Sequence, residues 1–385
     1  MKHSHKLIGT LIGAALLAAC GGNVTNSPSV PPETQSQNRA QIRGRLFAYV
    51  TNIGSQTISA YEVDRTTGAL TQVRRSPFGT RKNPWGVAVV PGKFVYVANG
   101  VGTNQRSRLH SKVTAYMINP TNGALVKVAG SPFNDTGDGA ADMAVALRKF
   151  AYVVNIYSDD VSAYAINAAS GALAPLRRSP FGAGGQPETL AIDNIGRFVY
   201  VPNTLTDDVS AFTINASTGA LTPVVGSPFS AGTTPAGVAV DRMGKFLYVT
   251  NANSNNVSAY SIDGTSGALT PVAGSPFKSN TPSRVATDPT ADFAYVSNNG
   301  SDTVSAYAID PASGALTPVP GSPFAAGSGP GTVAIDPTGS FAYVTNGGSN
   351  NISAYTIDAT SGALTPVAGS PFAAGNTPIS IVVRR

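Results

Sequence analysis

The sequence predicts an all-β chain folded as a seven-bladed β-propeller of four-stranded antiparallel blades, and three observations carry that prediction. A start of the form Phe-x-Tyr-Val-x-Asn recurs at Phe47, Phe94, Phe150, Phe198, Phe246, Phe293 and Phe341, at spacings of 47, 56, 48, 48, 47 and 48 residues. Each unit holds four short β-prone runs, and no stretch of helical period interrupts them. The numbering also closes. The body begins at Phe47 with the second strand of a blade and ends at Ile379-Ser380-Ile381-Val382-Val383, which matches an innermost strand. The final segment is therefore expected to complete the first blade and seal the ring.

Within the unit from Phe246 to Asp288, Phe246 to Thr250 and Val257 to Ile262 are rich in aromatic and β-branched residues, as pleated surfaces favour. Ala268 to Val272 forms the third run and Arg284 to Thr287 the last, innermost one. An Asp or Asn, three residues, then Gly recurs between the second and third runs, ending at Gly68, Gly123, Gly171, Gly219, Gly267, Gly314 and Gly362. That is turn chemistry: the Asx side chain bonds the backbone and the glycine is free to take positive φ. Pro175, Pro223, Pro271, Pro318 and Pro366 fall inside the run after this turn. Proline donates nothing to a ladder, so this run must be the outer edge of its sheet.

Composition excludes several classes. With 12% charged residues and 42% hydrophobic ones the chain is not a disordered, highly solvated polymer. It has no apolar run of about twenty residues, so it is not a multi-span helical membrane protein. A net charge of +6 without a basic cluster beyond pairs such as Arg74-Arg75 and Arg177-Arg178 gives no nucleic-acid footprint. The single cysteine excludes an internal disulfide and a thiolate metal site.

Residues 1–19 read as a processing signal: Lys2 and Lys6 precede the apolar stretch Leu7 to Ala19, which at 13 residues is too short to span a bilayer. Leu17-Ala18-Ala19-Cys20 resembles the bacterial lipobox, in which the cysteine is lipidated and becomes the new N-terminus. Residues 20–45, rich in Ser, Pro, Asn and Gln, are expected to form a solvated tether, and 46–385 the propeller. Gly21 lacks the aspartate that resembles an inner-membrane retention signal, so the expected location is the outer membrane, facing periplasm or exterior, with the lipid as the sole membrane contact.

The segments Tyr49-Val50-Thr51-Asn52, Tyr248-Val249-Thr250-Asn251 and Tyr343-Val344-Thr345-Asn346 resemble the repeat of YVTN-type β-propellers, which are similar to seven-bladed lactonases of the 6-phosphogluconolactonase type. The resemblance covers residues 46 to 385 and implies a sugar-acid or lactone ligand, or an envelope protein as partner, on a monomer. Enzymatic members carry a Pro-Arg-His-like start to an innermost strand and an Asn-Glu after the Tyr-Val strand. Here the nearest match is Pro282-Ser283-Arg284, and the Asn is followed by Ile53, Gly100, Ile156, Thr204, Ala252, Asn299 and Gly347.

Residues identical in every blade build blades, so function is sought where the repeats differ. The two positions after the inner-strand proline, whose place Ala140 takes in the third blade, face one mouth of the channel and read Trp85-Gly86, Ala141-Asp142, Glu188-Thr189, Ala236-Gly237, Ser283-Arg284, Gly331-Thr332 and Ile379-Ser380. Trp85, Asp142, Glu188 and Arg284 stand out. Asp142 or Glu188 could act as a base on water with Arg284 holding an anion or oxyanion, or the three charges could simply be solvated and mutually compensating. Trp85 could stack a sugar ring or plug the channel. The expected roles are thus a ligand- or protein-binding module at the mouth, or a metal-independent lactone hydrolase.

Other features carry less. The second blade has an insertion, Gly100 to Lys112, with Arg106, Arg108 and His110, followed by Asp135 and Asp138: a lid or a basic flap. His110 alone does not make a zinc site. The pairs Asp159-Asp160 and Asp207-Asp208 read as polar hairpin tips rather than calcium ligands. No phosphate loop or serine elbow occurs in the right context, so neither cofactor nor metal is expected.

Overall fold

A computed structural model describes residues 44–100, 111–134 and 137–384. The processing signal, Cys20, most of the expected tether, and Arg106, Arg108, His110 and Asp135 lie outside the described residues. The chain divides into units 1–41 and 42–385, and the second is the propeller.

Seven antiparallel sheets follow one plan, which blade 6 illustrates. The inner strand Pro282–Thr287 pairs with the second strand Phe293–Asn298, which pairs with the third, Thr303–Ile309. The outer strand is split. Leu316–Pro318 pairs with one half of the third strand, and after a cis Ser322–Pro323 bond Phe324–Ala325 returns to pair with the other half. Every unit carries this Ser-Pro-Phe segment, and its phenylalanine re-enters the sheet in every blade. Pro318 sits on the solvent edge, where its missing N–H costs no ladder bond.

Blade 1 is assembled from both ends of the described body. Its inner strand is Pro378–Arg384, its second Leu46–Asn52 and its third Thr57–Val63. Tyr49 lies opposite Val382, and Val50 opposite Ile381. The closed ring expected from the sequence is the observed one, and among the described residues no helix occurs.

The repeat also explains how blades hold each other. Second-strand tyrosines are buried and each donates its hydroxyl to the turn-glycine carbonyl of the following blade, from Tyr49 to Gly123 round to Tyr343 to Gly68, at 2.8–3.1 Å. The phenylalanine two residues before lies on that same glycine: a Cβ at Gly267, where φ is +79°, would come within 2.5 Å of the Phe198 ring. Burial holds these phenols protonated, well above their ordinary range. Third-strand tyrosines reach the other way. Tyr260 donates to Ser230 O at 2.6 Å and Tyr307 to Lys278 O at 2.7 Å, each on the blade before. The core is accordingly not central. It is a set of apolar clusters between neighbouring blades, such as the one joining Tyr248 and Val257 to Val296 and Tyr307.

Inner strands run from one end of the channel, here called the mouth, to the other, the base. Loops that enter the inner strands form the mouth. Hairpins from inner to second strand and from third to outer strand form the base.

Candidate functional site

At the mouth, the inner strands leave regular pairing. The register slips between Pro84 and Val87, Ala140 and Asp142, Pro235 and Gly237, Pro282 and Arg284, and Pro330 and Val333. Such bulges bend a strand and re-aim its side chains. In blade 4 the ladder shrinks to Ala191–Ile192 with an isolated bridge from Pro187 to Asn203, so Glu188 lies outside it. The bulges are clamped from the preceding blade: Thr51 Oγ1 donates to Trp85 O at 2.5 Å, Thr250 to Ser283 O at 2.8 Å and Thr345 to Ile379 O at 2.8 Å. The Asn that follows these threonines is buried and serves its own blade. Asn251 Nδ2 donates to Ser258 Oγ at 2.9 Å, and its Oδ1 accepts from Gly232 N.

Inside this rim lies a cavity of about 390 Å³. Its polar wall includes Trp85, Asp142, Ser283, Arg284, Thr332 and Ser380, and its apolar floor is made by Val87, Met143, Leu190, Val238, Val285 and Ile381. Those floor residues occupy one position of the inner-strand repeat, so one sequence position forms the collar beneath the site.

Three of the four residues singled out from the sequence line this cavity: Trp85, Asp142 and Arg284. Glu188 stands beside it and holds Arg284, with Oε2 3.4 Å from Nη2. Arg284 Nη1 also donates to Ala236 O at 3.1 Å and Ser283 O at 3.3 Å. The guanidinium is thereby fixed across blades 4 to 6. Gly237 permits this packing, since a Cβ there would come within 2.8 Å of Arg284 Cα.

Asp142 has a different setting. Burial raises its carboxyl to about 6, opposed by the N–H of Met143, the charge of Arg284 and the N–H of Leu190. It lies against Gly86 of the neighbouring blade, where a Cβ would fall 2.5 Å from Asp142 Oδ1 and 2.6 Å from its Cα. A half-desolvated carboxylate that changes charge near neutral pH, facing a cavity, can take and return a proton.

Asn299 joins the cavity wall as well and donates to Pro330 O at 3.4 Å. Sequence reasoning passed over it, though it is the one amide among the residues that follow the Tyr-Val-x-Asn segments. The described ends of the blade 2 insertion are pinned beside the site: Ser111 Oγ accepts from Gly139 N at 2.7 Å and Ala140 N at 2.9 Å, two residues before Asp142. The acidic hairpin tips serve neighbouring backbone. Asp159 accepts from Gln186 N and Asp207 from Thr234 N, each at 2.8 Å. Among the described residues no cluster of three or more His, Cys, Asp or Glu is placed to hold a metal ion.

Comparison with known proteins agrees with this architecture. The profile of the family "Lactonase, 7-bladed beta-propeller" matches residues 106–231, 148–277 and 271–382. No curated protein matches the chain. Among solved structures, a candidate 6-phosphogluconolactonase from Bacteroides fragilis NCTC 9343 superposes with a TM-score of 0.76 at 20% identity, over 89% of this chain and 98% of that one. A similar candidate from Bacteroides uniformis ATCC 8492 gives 0.76 at 16% identity, over 88% and 99%. The periplasmic gluconolactonase of Pseudomonas aeruginosa gives 0.72 at 19% identity, over 89% and 99%. At these identities the structural likeness speaks for the fold alone. The family profile, which spans most of the ring, adds the lineage: this chain belongs to the seven-bladed β-propeller lactonase family.

Proposed function

We propose that the mouth cavity binds a sugar lactone and hydrolyses it without a metal, with Asp142 as general base. The observation that carries this reading is a carboxyl raised to about 6 on the wall of a 390 Å³ cavity, beside a fixed guanidinium. Ionised Asp142 takes a proton from water as the water oxygen bonds to the lactone carbonyl carbon. The ring C–O bond then breaks and the ring oxygen takes that proton back, leaving an open hydroxy acid. Arg284 faces the oxyanion and then the product carboxylate. Glu188 positions Arg284. Trp85 offers an aromatic face to the sugar ring.

A second reading is capture of a sugar acid without turnover, and one observation favours it: the inner strand starts Pro282-Ser283-Arg284 without a histidine, and no Glu follows the Asn of any Tyr-Val strand. The lipobox-like Leu17 to Cys20 supports a lipid anchor in the bacterial envelope, and Gly21, where an inner-membrane retention signal would have aspartate, favours the outer membrane.

Proton release on a panel of aldonolactones separates the readings. Hydrolysis predicts turnover above buffer, a rate that climbs with pH through about 6, and a loss of about 10²–10⁴-fold in Asp142→Asn. No turnover, together with a thermal shift by the sugar acid that Arg284→Ala abolishes, leaves binding alone. Neither signal removes both readings.

A further inference from the structure

The base of the propeller is not used by either reading, and its chemistry is divided between two halves. At the tip of the inner hairpin, blades 3, 4 and 5 carry Leu147, Ile195 and Met243, exposed by 38%, 61% and 58%. The corresponding places in blades 6 and 7 hold Thr290 and Thr338. Leu147 lies over its neighbour's turn, because a Cβ at Gly196 would come within 2.9 Å of Leu147 Cγ and Cδ2. The apolar tips of blades 3 and 4 are therefore continuous.

Leu147 is also held at a cost. It and Arg148 form a two-residue turn, closed by Lys149 N to Ala146 O at 2.9 Å, with φ of +52° and +56°. Asn and Gly fit that left-handed turn, and a bulky apolar residue does not. Strain of this kind at an exposed apolar tip points to a role outside the fold.

Charge follows the same division. Lys93, Arg148, Lys149, Arg197, Arg242 and Lys245 lie on the inner hairpins of blades 2 to 5. Of the acids of those hairpins, buried Asp241 spends both oxygens on backbone N–H groups, and buried Asp193 accepts backbone N–H with one oxygen and pairs the other with Arg197 at 3.2 Å. Asp292 of blade 6 pairs with Arg242. On the outer turns of the base, blades 2 to 4 carry neutral Asn119, Asn167 and Asn215, whereas blades 5, 6, 7 and 1 carry Asp263, Asp310, Asp358 and Asp64. Backbone N–H groups hold those four carboxyls below the usual range, so they stay ionised. The inner hairpins of blades 2 to 5 are thus basic with apolar tips, and acid gathers on the outer turns from blade 5 round to blade 1, where Arg65 follows Asp64.

We propose that the basic, apolar half of the base, over blades 2 to 5, docks on the surface of a bilayer containing anionic lipid. Leu147, Ile195 and Met243 enter the interface, and the surrounding Lys and Arg meet the headgroups, the combination of apolar burial and cationic attraction that such surfaces favour. The position of the chain's start in the propeller fits. The described chain begins at Gly44, whose carbonyl accepts from Arg65, and Arg45 reaches Thr121 O on the base of blade 2. The 24 residues from Cys20 to Gly44 span at most about 80 Å, so a lipid on Cys20 would keep the base near a membrane. Docking in this pose turns the mouth cavity away from the bilayer. The proposal does not depend on what the mouth binds.

The test uses the full chain with Cys20→Ser, carrying one environment-sensitive fluorophore on Ile195→Cys, on Asn253→Cys at the mouth, or on Ala359→Cys in the acidic half of the base. With vesicles of phosphatidylglycerol and phosphatidylcholine, the label at 195 is expected to shift to the blue and to be quenched by lipid-borne quencher, while those at 253 and 359 stay in water. Arg148→Glu with Lys149→Glu should weaken the signal at 195 by about tenfold or more, and phosphatidylcholine alone should give the same loss. These substitutions lie on exposed side chains, and a circular dichroism melt at the parent temperature shows that the fold is kept. A label at 195 that stays in water, equal quenching at all three positions, or a blue shift that grows with protein concentration in the absence of vesicles, as a second copy covering the face would give, overturns the proposal.

Discussion

Asp142 and Arg284 lie on one cavity wall with opposite electrostatic histories. Burial makes ionised Asp142 unfavourable, and the Arg284 charge partly relieves it. The sign of the pH effects follows. The Asp142 carboxyl titrates higher in the folded chain than in the unfolded one, so its ionisation lowers stability as pH rises from about 4 to about 6. Asp142→Asn should therefore melt at a higher temperature than the parent at pH 7.5 and lose that advantage at pH 4, measured by calorimetry, even as it loses lactone turnover. Arg284→Ala removes a charge that favours the ionised carboxylate, so the acid limb of the turnover profile should move to higher pH. An unmoved limb would mean that Asp142 is not the titrating base. Asn299 shows why sequence reading stops short at this scale: its value comes from which of seven equivalent positions it occupies and from a bulge that no single residue announces.

At the scale of strands and turns, the Tyr-Val-Thr-Asn segment can be explained atom by atom. The tyrosine grips the next blade's turn, the threonine clamps the next blade's bulge, and the asparagine closes its own hairpin. The motif is blade architecture, and none of its side chains is left for chemistry. Gly267→Ala combines a left-handed backbone with a collision against Phe198 and should cost about 2–4 kcal/mol in a denaturant melt. Blade 4 has Phe212 where six other blades have a tyrosine that bonds the previous blade. Phe212→Tyr places a hydroxyl toward Gly182 O and should add about 0.5–1 kcal/mol, visible as a rise in Tm of about 1–2 °C. The split outer strand was not legible in the sequence, because Phe324–Ala325 makes too short a run to carry a period of two.

Taken whole, the molecule is a ring whose stability depends on its last strand. Pro378–Arg384 gives the second strand Leu46–Asn52 its inner partner and carries Ile381 and Val383 into the cluster shared by blades 1 and 7. Deleting residues 378–385 exposes an unpaired strand face and opens the ring. Such a chain should lose the single cooperative thermal transition of the parent and aggregate. A truncated chain that melts as the parent does would show that the ring does not depend on this closure. The same closure accounts for Arg384, which stands where blades 4 to 7 have Asp193, Asp241, Asp288 and Asp336. Those aspartates cap the hairpin from inner to second strand, as Asp336 does for Ser340 and Phe341, and blade 1 has no such hairpin to cap.

The number of blades, the order of strands, the closing of the ring and the short set of residues worth testing at the mouth are all legible along the chain, because repetition turns each weak local preference into seven concordant ones. That Glu188 holds Arg284 while Asp142 faces the cavity, and that basic and acidic turns gather on different parts of the base, emerges once the blades are packed. Those facts belong to residues far apart in the chain, which the angle between blades brings together, and no spacing along the sequence encodes that angle.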